Sequence, residues 1–195
     1  AMTTQAQTVT QTKYGVKVDV AQAGVPTTEV TVYTPSIIRV TKYADGLKQM
    51  PEKKSYSVIL EPTGADFQMR DAGPSVAITT EQMTVTIDKQ TGIVCFTKGQ
   101  NMLLQETASG EVRTITTGAD KGKYEIAQNF RLDKDEAIYG LGTFQNGKIN
   151  RRGEHKLMEQ SNLEDFQNVL QSIKGWGIYW DNYSRSQFVD NEEGM

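Results

Sequence analysis

The chain has 195 residues, enough to bury a sizeable core in one large domain or in one domain with an extension. Its formal net charge of -3 argues against a nucleic-acid partner, which asks for a basic face, and no apolar run approaches the roughly 20 residues of a membrane-spanning helix. One histidine and one cysteine, His155 and Cys95, leave no zinc-ligand spacing, no internal disulfide and no Ser-His-Asp site, so no metal or other cofactor is expected.

The start, AMTTQAQT, is small and polar and lacks the apolar centre of a signal peptide. Residues 1–13 are read as a flexible segment, and any export signal as already removed. Alternation begins at Tyr14, with Val16, Val18 and Val20 on one face, and returns in EVTVYT with Val30 and Val32. Strands are expected next at 36–43, 55–60 and 75–79, with a turn at Ala44-Asp45-Gly46. Residues 82–96 read as a hairpin: Met83, Val85 and Ile87 alternate, 88–92 supplies the turn, and GIVCF returns. Cys95 inside that return is a small hydrophobe rather than a nucleophile. Further strands are expected at 111–116, 122–130, 137–141, 156–160, 168–173 and 176–181, separated by turn chemistry at Ser109-Gly110 and 117–123. Helical i, i+3, i+4 spacing recurs nowhere over a useful length. The pattern is all-β, an antiparallel β-sandwich of two packed sheets over 14–184. Residues 185–195 follow a strong strand without a closing element and read as the start of a connection to a further domain.

One stretch raises a specific question. GTFQNGKI, Gly142 to Ile149, meets G-x-x-x-x-G-K-[ST] except at its last position, where Ile149 replaces the hydroxyl that would hold Mg²⁺. The following INRRGEHK has no amphipathic helix pattern, and a β-rich chain offers no βαβ unit, so the phosphate reading fails. Gly140-Leu141-Gly142 is likewise too short a piece of G-x-G-x-x-G. Glycines in a strand-end turn are the better reading.

The same region resembles the end of the N-terminal domain of glycoside hydrolase family 31, which includes α-glucosidases and α-xylosidases. The resemblance rests on Tyr139-Gly140-Leu141-Gly142, the polar loop after it, and Gly175-Trp176-Gly177-Ile178-Tyr179-Trp180-Asp181-Asn182; upstream, SIIRV at 36–40 and VTIDKQTGIVCF at 85–96 fit as well. It implies a galactose mutarotase-like β-sandwich preceding a (β/α)8 barrel. It also implies that both catalytic carboxylates lie in that barrel, so that none of the 24 Asp and Glu residues here is catalytic and the chain alone is inactive. Gly140 and Gly142 would then turn the chain at a sheet edge and deliver the next loop toward the cleft.

Within LMEQSNLED, 157–165, Glu159, Gln160, Ser161 and Asn162 are candidates for hydrogen bonds to a sugar, with Phe144 or Phe166 as an apolar wall. Where some α-glucosidases place an Asp-Thr pair, this chain has Ser161-Asn162, which leaves glucose preference open. A polar loop that only packs on the barrel is an equal alternative. Trp176, Tyr179 and Trp180 suggest a stacking platform, but alternation puts Trp176, Ile178 and Trp180 on one face and Tyr179 on the other, which favours core packing. Lys148, Arg151, Arg152, His155 and Lys156 form a basic cluster, read as a solvated loop.

The function expected is that of a non-catalytic N-terminal domain of an α-glycosidase, packed on the barrel and lending a loop to recognition of an α-linked oligosaccharide. An independent carbohydrate-binding module is the alternative. A mutarotase is disfavoured because His155 is the single histidine. An apolar barrel-facing patch is expected to make the isolated domain self-associate. The start of the chain and the resemblance together suggest an exported, periplasmic protein. Which α-linked sugar is cut is not written in this sequence.

Overall fold

The computed structural model describes residues 7–20, 22, 24–44, 47, 55–64, 66–191 and 194–195. The chain divides into two compact units, one of Ala1–Lys54 and Ile59–Asn129, the other of Ser55–Val58 and Phe130–Met195. All regular structure among the described residues is β, paired antiparallel wherever strands meet in a register described below.

In the first unit the strands are β1 (Thr8–Thr12), β2 (Gly15–Asp19), β3 (Thr27–Thr34), β4 (Ile37–Tyr43), β5 (Gln68–Ala72), β6 (Ser75–Thr79), β7 (Thr84–Asp88), β8 (Val94–Lys98), β9 (Asn101–Glu106), β10 (Glu111–Thr114) and β11 (Tyr124–Ala127). Strands β1 to β4 form one meander, β5 to β9 a second, and β10 and β11 a hairpin. The registers Val16↔Val30, Val32↔Ile38, Val76↔Ile87, Ile78↔Val85 and Ile87↔Val94 place like with like across each sheet. Their inward faces meet in one core of Val16, Val18, Val20, Val30, Val32, Val76, Ile78, Val85, Ile87 and Val94. The β-branched side chains, stiff at χ1, fill a pleated surface at little further entropy cost, and each fully buried one contributes about 1.5–3 kcal/mol. This is a β-sandwich, and the alternation that predicts it also builds it.

A charged pair is set at the margin of this core. Lys42 Nζ lies 2.9 Å from Glu106 Oε2 and donates to the Gly92 carbonyl at 2.6 Å and to Thr28 Oγ1 at 3.1 Å. Glu106 also accepts from the Val94 N–H at 2.8 Å and from Gln128 at 3.0 Å. Burial pulls the Lys42 pKa below its usual value, against the pull of Glu106. The pair ties β4, β8 and β9 together.

The second unit contains β12 (Phe130–Arg131), β13 (Ile138–Thr143), β14 (His155–Met158), β15 (Asp165–Ser172), β16 (Gly177–Tyr179) and β17 (Ser186–Val189). Strands β13, β15 and β16 form a sheet in that order, and β14 pairs with β17.

Several expectations need correction. Residues 55–60 form no strand: Ser55 Oγ accepts the N–H groups of Ser57 at 3.2 Å and Val58 at 2.8 Å, so a side chain takes the donors that a ladder would use. Strand structure also occupies two segments read otherwise. Thr8–Thr12, inside the segment expected to be flexible, pairs with β2, and Ser186–Val189, inside the expected connection, pairs with β14. Strands at 68–72 and 101–106 were not anticipated. Of 122–130, only Tyr124–Ala127 and Phe130–Arg131 are extended in ladders. The turn expected at Ala44-Asp45-Gly46 has Asp45 and Gly46 outside the described residues.

Candidate functional site

The candidate site residues all lie in the second unit, and the glycines of β13 start the segment that carries them. Gly140, Leu141 and Gly142 have positive φ in succession, 116°, 63° and 105°. A Cβ on Gly140 would sit 2.4 Å from the Val169 carbonyl oxygen, and one on Gly142 1.9 Å from that of Asp165. Here β13 and β15 approach too closely for any side chain, and their register slips between Gly140↔Leu170 and Gly142↔Phe166. Leu141 holds the left-handed conformation without being glycine, at a cost of about 1–2 kcal/mol, while its side chain is wholly buried. After Gly147 the chain runs through turns into β14, and Lys148 Nζ donates to the Arg152 carbonyl at 2.7 Å. The glycines serve strand approach, and the lysine closes its own loop.

That loop is organised by arginines. Arg151 is buried; its N–H donates to the Ile138 carbonyl at 2.8 Å, Nε to the Gly140 carbonyl at 3.1 Å, and Nη1 to the Lys148 carbonyl at 2.7 Å. Its Nη1 also lies 3.4 Å from Glu154 Oε2, and Asn146 donates to Glu154 Oε1 at 2.8 Å. Arg152 Nε donates to Asp190 Oδ2 at 2.9 Å, while its Nη1 donates to the Asp133 carbonyl at 2.7 Å and the Glu136 carbonyl at 2.8 Å. The Gly153 N–H donates to the same Asp190 oxygen, and the other oxygen, Oδ1, is buried without a hydrogen-bond partner. The basic cluster is therefore not a solvated loop at its centre. Lys148 and His155 are exposed as expected, but Arg151 and Arg152 are internal struts.

Glu136, also buried, collects a second set of donors. Its Oε1 accepts from Ser172 Oγ and from Trp176 Nε1 at 2.9 Å; its Oε2 accepts from the Asp133 N–H at 3.1 Å and lies 3.4 Å from Lys174 Nζ. Burial works against the charge on Lys174, but Asp133 and Glu136 outweigh it and raise its pKa. Trp176 is buried, which fits core packing; Ile178 and Trp180 are half-buried, and Tyr179 on the other face is 40% exposed.

The structure places Phe144 half-buried beneath the Arg151 guanidinium, 4.0 Å from ring centroid to Cζ, with Lys156 Nζ at 4.7 Å and Phe166 edge-on at 5.4 Å. Phe144 and Phe166 thus form one aromatic wall. Glu159 is exposed and lies 3.3 Å from Arg185 Nε. Gln160 uses both ends of its amide on its own loop: Nε2 donates to Asp165 Oδ1 at 2.6 Å, and Oε1 accepts from the Phe166 N–H at 3.1 Å. Ser161 Oγ accepts weakly from the Leu163 N–H at 3.4 Å, and Ser161 and Asn162 are exposed at the tip. Gln160 links the tip to the aromatic wall; Glu159 pairs elsewhere. Sequence reasoning missed the burial of Arg151, Glu136 and Asp190 and the half-burial of Arg152. The available signal was two-signed charge, DKDE at 133–136 and RRGE at 151–154, inside an otherwise strand-rich chain.

Among the described residues, no three His, Cys, Asp or Glu side chains gather as a metal site requires, and no helix is long and apolar enough to cross a membrane.

Comparison with known proteins identifies the region. The model of the glycosyl hydrolase 31 N-terminal galactose mutarotase-like domain matches residues 27–188. An α-xylosidase of Saccharolobus solfataricus is 24% identical over 177 residues, 80% of this chain and 22% of that protein. Among solved structures, the α-xylosidase of Xanthomonas citri is similar at 26% identity and a TM-score of 0.75, over 91% of this chain and 19% of that one. A dextranase of Flavobacterium johnsoniae, solved with glucose, shares the fold at a TM-score of 0.76 and 20% identity, over 97% of this chain and 23% of its own. The chain thus spans about a fifth of the length of these relatives.

Proposed function

We propose that this chain, which belongs to the glycosyl hydrolase 31 N-terminal galactose mutarotase-like domain family, is the non-catalytic N-terminal domain of an α-glycosidase, packing on a catalytic barrel and lending its 157–165 segment to substrate recognition. The observation that carries the reading is the outward face of the β13-β15-β16 sheet. Tyr139, Val169 and Tyr179 point from it with 36%, 37% and 40% of their surface exposed. Tyr139 stands opposite Gln171, and Val169 opposite Tyr179, so these residues share one side. Exposed aromatic and aliphatic side chains gathered on one sheet face, here beside Gln171, are what a neighbouring domain covers. That the α-xylosidase relatives are about four to five times as long supports a barrel as the cover.

The recognition role falls on the loop tip. Gln160 shapes the loop, Phe144 and Phe166 give it an apolar wall, and Ser161 and Asn162 offer exposed hydrogen-bonding groups for sugar hydroxyls. Glu159, exposed beside Arg185, extends that polar rim. The partner is an α-linked oligosaccharide, and an exported, periplasmic enzyme is the setting we infer from the likeness to a polysaccharide-degrading dextranase.

The test is hydrolysis of aryl α-xylosides and α-glucosides by the 195-residue chain beside the longer protein that carries it. The chain alone should release no aglycone. In the longer protein, Asn162→Ala should raise KM about tenfold with a smaller change in kcat, as loss of a ground-state contact does. Turnover by the chain alone would overturn the reading.

A further inference from the structure

A second arrangement in the same unit, at Ser55–Val58 and 181–184, has the chemistry of a saccharide surface. Tyr56 is 80% exposed and Tyr183 48%. Surface tyrosines ordinarily bury the ring and leave the hydroxyl in water. In Tyr183 the hydroxyl is instead engaged by protein groups. Its hydroxyl accepts from the Tyr56 N–H at 2.6 Å, donates to Asp181 Oδ1 at 2.9 Å and lies 3.0 Å from Ser55 Oγ, which itself donates to Asp181 at 2.8 Å. The polar end is tied down while the residue stays exposed.

The clasp also fixes the backbone beneath. Val58 N–H donates to Ser55 Oγ at 2.8 Å, and Asn182 donates to Ser186 Oγ at 2.8 Å and accepts from the Ser184 N–H at 3.1 Å. The two rings stand 5.2 Å apart, inclined at 61°. Folding gains little by exposing an aromatic ring, so a network that holds one outward is best explained by something that stacks on it. Sugar C–H groups suit the electron-rich face of a tyrosine, and ring hydroxyls suit the surrounding polar groups. Two rings so inclined do not form the flat platform that a straight β-linked chain wants. They suit a chain that bends between units.

We propose that Tyr56 and Tyr183 form a binding surface for an α-linked oligosaccharide, with one sugar unit stacked on Tyr56 and the next against Tyr183. The proposal does not depend on the 157–165 segment touching substrate. The experiment is amide-resolved NMR titration of the full 195-residue chain with isomaltotriose, maltotriose and, as a straight-chain comparator, cellotriose. Expected are saturable shifts at 55–57 and 181–184 with the α-linked sugars, at least tenfold weaker with cellotriose. Tyr56→Ala keeps the N–H that Tyr183 accepts and should weaken binding at least tenfold, while Tyr56→Phe should stay within twofold. Tyr183→Phe keeps the ring but removes the clasp, and should weaken binding by an intermediate factor in a chain whose spectrum remains dispersed. Unchanged affinity in Tyr56→Ala, equal binding of cellotriose, or no saturable shift at these residues would each overturn the proposal. Shifts confined to 144–166 would overturn it too, while supporting the loop reading above.

Discussion

The two units of this chain are held by different physics. The first closes on Val16, Val18, Val30, Val76, Ile78, Val85 and Ile87, each at most 1% exposed, with one buried ion pair at the margin. The second has fewer apolar anchors, among them Ile138, Leu141 and Leu170, and it interleaves them with buried Glu136, Arg151, Glu154 and Asp190. An aliphatic core is forgiving, because its stabilisation is spread over many non-directional contacts. A buried charge network is not, because each member is costly once its partner is removed. The unit that carries the candidate loop is thus the one whose shape depends on specific pairs.

The most severe way to break that contrast is Arg152→Ala, which leaves the buried Asp190 carboxylate without its cation and should cost about 3–5 kcal/mol. Both tryptophans, Trp176 and Trp180, lie in the second unit, so urea unfolding followed by their fluorescence reads that unit selectively. Far-ultraviolet circular dichroism should retain a component at the wild-type midpoint; a single shared transition at the lower midpoint would show the two units to be one cooperative body. Ile78→Ala opens a void in the aliphatic core and should cost about 2–5 kcal/mol, visible in the dichroism midpoint before the fluorescence one.

The smallest effect concerns acid. Burial opposes ionisation of Asp88, but the N–H and hydroxyl of Thr91 and the N–H of Gln90 outweigh it, so its folded pKa falls below the ordinary 3.8. Its contribution is therefore complete above pH 3.8 and is lost as pH falls through the lower folded value. Asp88→Asn should cost about 1 kcal/mol at neutral pH and shrink that difference below pH 3. A constant difference from pH 7 to pH 2 would refute the assignment.

The contrast also explains what could be read from the sequence. The hairpin at 82–96 and the valine strands were legible because burial on one face writes period two directly into the chain. β1 and β5, TVTQT and QMRDA, were not, since their residues are mostly exposed or half-buried and carry no such imprint. Residues 55–60 misled because Tyr56, Val58 and Leu60 alternate, although a serine side chain takes the backbone donors there. Tyr139 to Gly142 announced a turn, and Trp176 announced core packing. The arginines were misread for a different reason: Arg152 finds Asp190 38 residues later, and a local reading of charge sees the donor without its acceptor. Which loop residues touch a sugar is less legible still, since exposed polar tips leave no periodic trace.

The left-handed run at Gly140-Leu141-Gly142 has a consequence best expressed as phase. In a strand of strict period two, Ile138 facing inward commits residue 140 to the core and residue 141 to the outside. Here Ile138 and Leu141 are both fully buried, three apart, and the residues between them are exposed. Reversing the local hand has slipped the strand by half a period. A second slip follows at Gly142: Thr143 is exposed and Phe144, again three residues on, turns back beneath Arg151. Deleting Gly140 would keep Leu141 in the core by plain alternation, yet would remove one slip of the two and shift the pairing of β13 with β15 by one residue. What the two glycines encode is a pair of parity changes that cancel, so that the loop leaves β13 on the phase with which the strand began.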